Sequence, residues 1–253
     1  MLTNMITLNH VSKTYGTLKA LNDINLVVST GGTTVFIGPS GCGKSTLLRV
    51  TMGLVPPDRG SVFYKGLLVS KDSAEELCRN FGYVTQGGGL FPHLTARDNI
   101  TLMSRFLRRR ESLISERLEE LVELTRLPRN VLDNYPVQLS GGQRQRVAII
   151  RSLMLDPEVL MLDEPFGSLD PIVRHQLQTE LREIFRQLSK TVLMVTHDIG
   201  EAGYFGDDII LLREGSIIQR GTIEDLVGNP TEPFVDKFVS AQRTLVDVLE
   251  RKT

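Results

Sequence analysis

Five strand-forming residues, Thr33-Thr34-Val35-Phe36-Ile37, run without a break into Gly38-Pro39-Ser40-Gly41-Cys42-Gly43-Lys44-Ser45-Thr46. No other feature constrains the fold as much. The β-branched run suits a buried strand, and the glycines after it let the backbone curl with no side chain in the way. The peptide N–H groups of such a curl can point inward at phosphate oxygens, and the helix start beyond it adds partial positive charge. Residues 38–45 fit G-x-x-x-x-G-K-[ST] in the strand-to-helix setting that gives the pattern its meaning. Lys44 is then placed to reach the β- and γ-phosphates of a nucleotide, and the Ser45 hydroxyl to ligate Mg²⁺. The plainer alternative, a glycine-rich turn that contains a lysine, does not explain the flanking strand and helix. The helix is expected to end at Gly53, with Pro56-Pro57 barring its continuation.

The rest of the chain alternates between strand and helix patterns. Ile6, Leu8, His10, Leu21, Ile24, Leu26 and Val28 read as short strands broken by turns such as Tyr15-Gly16. From about 94 to 147 the pattern is mostly helical, with Ile114, Leu118, Leu121 and Val122 on one face. A second α/β unit starts with the buried strand Val159-Leu160-Met161-Leu162-Asp163. Asp170-Pro171 reads as an N-cap followed by proline at the first helical position. The helix that follows carries Leu177, Leu181, Ile184, Phe185 and Leu188, and residues 191–196 and 209–212 read as further strands. Such alternation implies an α/β fold with a mainly parallel sheet covered on both faces.

The 253 residues suffice for one large α/β domain or two small ones. With 29 basic and 30 acidic residues the net charge is −1, so no global field favours nucleic acid or an anionic surface. Two cysteines, Cys42 and Cys78, lack metal-ligand spacing and suit a reduced, intracellular protein. No signal peptide is expected at the N-terminus, and no apolar run approaches the ~20 residues of a membrane span, so a soluble chain is expected.

Asp163-Glu164 closes an apolar strand, and Pro165 fixes the backbone just beyond it. Taken alone, the pair could be two solvated acids. With a phosphate loop in the same chain, Asp163 is expected to hold Mg²⁺ through water and Glu164 to act as the general base toward an attacking water. A third polar, glycine-rich helix entrance follows the same logic. In Leu139-Ser140-Gly141-Gly142-Gln143, Ser140 is a natural N-cap, and the two glycines leave N–H groups open to a second anion. By itself this motif reads better as an ordinary helix cap with no ligand.

That last run resembles the signature of the ATP-binding-cassette ATPases, and the resemblance extends in motif order over about residues 4 to 240. Tyr15 sits where the family stacks an aromatic ring on adenine. Gln86 takes the place of the glutamine that contacts Mg²⁺ or water and senses the membrane subunit. Ser168-Leu169-Asp170 matches the dimer-contact loop, and His197 the histidine that contacts the γ-phosphate. The resemblance implies a phosphate-loop NTPase of RecA-like type, with a mainly parallel core, an antiparallel β subdomain and a helical subdomain. It implies one nucleotide-binding domain over 1–253, its helical subdomain at about 94–147 and a short tail from about 226. ATP and Mg²⁺ are the implied cofactors, held by residues 38–46, Tyr15, Asp163, Gln86, Asp170 and, across a dimer, by Ser140, Gly141, Gly142 and Gln143.

The implied partners are a second ATPase subunit, most simply a homodimer, an integral membrane permease and a solute-binding protein, with no nucleic acid. The implied location is the cytoplasmic face of the membrane, peripheral, through the permease. Separate cassette and permease chains resemble importers. Residues 163–172 and Gly89-Leu90-Phe91-Pro92-His93 are similar to importers of glycine betaine, choline, carnitine or proline. An exporter or lipid-trafficking cassette, or a soluble non-transport cassette, is the alternative.

Residues 90–94 could serve either as apolar anchors for a permease or as local core. Arg108-Arg109-Arg110 reads as a solvated face, and His10, His93 and His175 as non-catalytic. Cys42 reads as small packing within the loop, open to thiol reagents. Departures from the subgroup are expected too. A C-terminal pair of nucleotide-sensing modules does not fit before Thr253. The triple glycine 87–89 is expected to soften the coupling loop, and Ser152 in Arg151-Ser152-Leu153 to be without consequence.

Overall fold

The computed structural model describes residues 4–70, 73, 77–167 and 169–250, the side chains of Cys78 and 243–250 excepted. The chain divides into two compact units, Met1–Glu75 with Leu193–Thr253, and Glu76–Val192.

In the first unit, β1 (Asn4–Tyr15) pairs antiparallel with β2 (Leu18–Ser29) and with β4 (Arg59–Tyr64), and β4 with β5 (Leu67–Leu68). The sequence suggests several short strands here, whereas the structure has two of twelve residues each. Irregularities between Leu8 and Val11 and between Val11 and Lys13 shift the register, so the apolar alternation changes phase within one continuous strand. Ile6, Leu8, Val11, Leu21, Ile24, Leu26 and Val28 still reach one buried face.

The same unit holds β3 (Thr33–Ile37), parallel to β9 (Asp208–Arg213), with β10 (Ser216–Gly221) antiparallel beyond it. All five residues of β3 are buried, as in a strand covered on both faces. Helix α1 (Lys44–Thr51) follows the glycine loop and stops at Met52, with Gly53 in the left-handed region as expected. Strand β8 (Thr191–Val195) begins in the second unit and ends in the first, where the Thr196 N–H donates to the Phe36 carbonyl at 3.1 Å. Helices α6 (Ile199–Phe205), α7 (Ile223–Gly228) and α8 (Pro233–Glu250) complete the unit, so the segment after 226 holds the end of α7, a break at 229–232 and then α8.

In the second unit, β6 (Phe81–Val84) runs parallel to β7 (Val159–Asp163), Val84 opposite Leu162. Helices α2 (Ala96–Phe106), α3 (Glu111–Leu124) and α4 (Gly141–Leu153) fill the expected helical region. Ile114, Leu118, Leu121 and Val122 of α3 are buried, as their spacing predicts. Helix α5 (Pro171–Leu188) starts on the Asp170 side chain, which accepts the Val173 N–H at 3.1 Å, and buries Leu177, Leu181, Ile184 and Phe185, with Leu188 half-buried. Arg146 of α4 reaches Glu180 of α5 with Nε at 3.1 Å and Nη2 at 2.8 Å. Arg108, Arg109 and Arg110 are exposed between α2 and α3, as a solvated face requires. Among the described residues no helix is long and apolar enough to cross a membrane.

Candidate nucleotide and signature sites

The phosphate loop of the first unit is held by its surroundings. Gly43, the N-cap of α1, has φ 108°, and a Cβ there would lie 2.1 Å from the Ala20 carbonyl oxygen. Only glycine fits both the conformation and the space. The Cys42 carbonyl accepts the Gly215 N–H at 3.1 Å, and the Gly215 carbonyl accepts the Asn22 N–H at 2.8 Å, so the β9–β10 turn braces the loop. No side chain caps α1, which leaves its first turn suited to an anion rather than to a cap. Pro39, Ser40 and Gly41 are exposed, Ser45 and Thr46 half-buried. Lys44 is 5% exposed, and its ammonium donates to the Gly38 and Pro39 carbonyls at 2.8 and 2.9 Å. A cation is thereby fixed inside the curl. Cys42 is buried as well, and burial pushes its thiol up despite Lys44 nearby. A raised thiol carries little thiolate at neutral pH, so the loop offers a poor target for thiol reagents.

Two further candidates lie in this unit. Tyr15 ends β1 with 47% of its surface exposed and the Lys13 ammonium 5.6 Å from its ring centroid. His197 is exposed just after β8, and its neighbours are fixed on both sides. Thr196 donates its hydroxyl to the buried Glu201 carboxylate and accepts the Asp198 N–H at 3.1 Å. The Asp198 carboxylate in turn caps α6 through the Gly200 and Glu201 N–H groups. This bracket around His197 escapes sequence reading because Glu201 looks like any acid in a first helical turn.

In the second unit the structure brings Glu164 and Gln86 together, with Gln86 Nε2 donating to Glu164 Oε2 at 3.3 Å. Glu164 has φ 46°, a left-handed conformation unusual for a side-chain-bearing residue and of a kind that collects at functional sites. The turn is anchored by fully buried Phe166 and by the Gly167 N–H to the Glu164 carbonyl at 3.3 Å. Asp163 is 3% exposed, and its Oδ2 accepts the Tyr83 hydroxyl at 3.3 Å, a partner that the sequence does not single out. Among the described residues no cluster of three His, Cys, Asp or Glu could hold a metal alone. Within the second unit, the oxygen chemistry of Gln86 and Asp163 is of the kind that fits Mg²⁺, which binds through one or two carboxylates and substrate phosphates rather than in a protein cage.

The signature forms a capping box. Ser140 Oγ accepts the Gln143 N–H at 3.2 Å, and Gln143 Oε1 accepts the Ser140 N–H at 2.9 Å. Gln143 thus has a structural task at the helix entrance besides any contact to a ligand. Gly142 is buried, and a Cβ there would come within 2.7 Å of a Val173 methyl, while one on Gly141 would lie 3.2 Å from Leu169. The signature glycines therefore let α4 pack directly on the start of α5, beside Asp170. Ser168 lies outside the described residues.

Comparison with known proteins agrees with this geometry. The ABC transporter family matches residues 21–167, and the chain belongs to that family. It is 43% identical over 242 residues to the choline transport ATP-binding protein OpuBA of Bacillus subtilis (strain 168), an alignment covering 95% of this chain and 64% of that protein. The chain thus spans less than two thirds of the length of that relative. It is 40% identical over 249 residues to the glycine betaine uptake system ATP-binding protein YehX of Escherichia coli (strain K12), covering 98% and 81% of the two chains. Among solved structures, the dimeric post-hydrolysis state of the ATP-binding cassette MJ0796 bound to ADP and Pi superposes with a TM-score of 0.78 at 33% identity, covering 87% of this chain and 99% of that one. The fold is that of a phosphate-loop NTPase cassette.

Proposed function

We propose that this chain is the ATP-hydrolysing subunit of an importer. The observation that carries the reading is the left-handed Glu164, set at the end of an apolar strand with Gln86 donating to its carboxylate. Such a group is oriented to accept a proton from water as that water attacks the γ-phosphorus. The O–P bond forms, the bond to the β-phosphate oxygen breaks, and ADP and phosphate leave. Lys44 and the backbone N–H groups of 38–46 other than Pro39, which has none, bind the phosphates, Tyr15 stacks on the base, and His197 contacts the γ-phosphate. Ser45, Gln86 and Asp163 would hold Mg²⁺, which neutralises phosphate charge.

The chain acts as one nucleotide-binding domain that pairs with a second ATPase subunit, most simply a copy of itself. Ser140, Gly141, Gly142 and Asp170 then face the nucleotide of the partner. The exposed Phe91, Pro92 and His93 favour these residues as permease anchors rather than as core. The assembly sits peripherally on the cytoplasmic face of the membrane, through the permease, with a solute-binding protein supplying substrate. The names of the relatives, choline transport and glycine betaine uptake, support a quaternary amine as that substrate.

Lys44→Ala tests the nucleotide site. The expected result is loss of most ATP affinity, at least about 10-fold, in a titration with a fluorescent ATP analogue, because the fixed cation inside the curl is gone. Normal affinity would remove the phosphate-loop assignment. Co-purification in mild detergent, followed by mass spectrometry, tests the importer reading. A multi-span permease supports it, while reproducible recovery of soluble partners only would replace it with a non-transport cassette.

A further inference from the structure

The three glycines after Gln86 are expected to make a soft loop, and the structure contradicts this. Gly87, Gly88 and Gly89 have φ of 72°, 81° and 55°, a left-handed run that side-chain-bearing residues do not sustain. The run is gripped from the signature helix. Arg151, in the last turn of α4, donates Nη2 to the Gly88 carbonyl and Nη1 to the Gly89 carbonyl, both at 2.8 Å. Gly88 lies against the same helix, where a Cβ would stand 3.4 Å from that of Ala148.

The far end of the loop is fixed too. Asn99 of α2 is fully buried and accepts the Phe91 N–H at 2.8 Å. Its amide group is shared among the carbonyls of Phe91, Leu94 and Thr95 at 3.0 to 3.1 Å. Between these clamps Phe91, Pro92 and His93 stay exposed, and directly before them Gln86 meets Glu164.

We propose that Arg151 is a positioning residue whose grip on the Gly88 and Gly89 carbonyls holds Gln86 in register with Glu164, so that the signature helix and Gln86 move as one piece. The inference rests on the reading of Glu164 as the base. A planar guanidinium can bridge two successive carbonyls, whereas the point charge of lysine serves one well and the second poorly.

The test measures ATPase kinetics, nucleotide affinity and hydrogen exchange of amides 86–91 in Arg151→Met and Arg151→Lys, each with Gln86 intact and with Gln86→Ala. The expected result for Arg151→Met is a kcat at least about 10-fold lower, with affinity kept within about twofold. The amides 86–91 lose protection, and Arg151→Lys falls between Arg151→Met and wild type. In the Gln86→Ala background the same substitution costs less than about twofold more, because the group it positions is absent. A kcat unchanged in both variants, or losses that simply multiply in the double variant, would overturn the proposal. If the wild-type chain itself shows no turnover, the function reading fails. Hydrogen exchange then decides alone, and unchanged protection in Arg151→Met would overturn the grip.

Discussion

Glu164→Gln leaves a chain that binds ATP with near wild-type affinity and hydrolyses it at least about 100-fold more slowly. The substitution changes almost nothing but the proton chemistry. Glutamine matches glutamate in size, its amide oxygen can still accept from Gln86 Nε2, and the left-handed backbone at position 164 is as accessible to one as to the other. What the amide lacks is a lone pair basic enough to take a proton from water. On the proposed function, in which ATP binding closes a cassette pair and hydrolysis reopens it, the variant is expected to accumulate as an ATP-dependent dimer, a population shift with no exit. Phosphate release assays with size-exclusion light scattering check both parts. Rapid turnover by the variant would remove Glu164 as the base. A slow but monomeric variant would keep the base and remove the trapped dimer.

Arg146→Ala is expected to cost about 3–5 kcal/mol of folding stability, because it strands a buried carboxylate. The Glu180 side chain is 5% exposed and takes both guanidinium bonds on one oxygen. Gln176 Nε2, at 3.1 Å from the other oxygen, would be the residual donor named by the geometry. Replacing both partners with apolar residues, Arg146→Met with Glu180→Leu, should recover most of the loss, since the desolvated charge disappears with its partner. Denaturant titration of the single and double variants measures this. A loss below about 1 kcal/mol in Arg146→Ala would mean that the pair is hydrated in solution and worth no more than a surface bridge. The pair matters to function because it locks the signature helix to α5, whose start packs on Gly142.

Local chemistry made much of this legible from the sequence. A strand followed by glycines, lysine and a helix admits few backbone paths, so the phosphate loop and α1 could be placed residue by residue. The caps at Ser140 and Asp170 and the helix end at Gly53 follow from short-range hydrogen bonding and backbone freedom, which depend on neighbours a few residues away. The apolar face of α3 follows from helical period alone. The strands at the N-terminus were harder, because register irregularities between Leu8 and Lys13 shift the alternation without ending the strand.

The sequence by itself determined the phosphate loop, the acid pair, the signature and the family they define, since each is a contiguous motif whose residue types are dictated by what the backbone and its ligand require. Only the tertiary structure decided that Gln86 touches Glu164, that Tyr83 stands behind Asp163, and that Arg151 holds the carbonyls of Gly88 and Gly89 in a loop that looks loose in the sequence. Those pairs are separated by up to 80 residues. A hydrogen bond across such a distance leaves no period or spacing in the chain, because its partners meet only once strands and helices have packed.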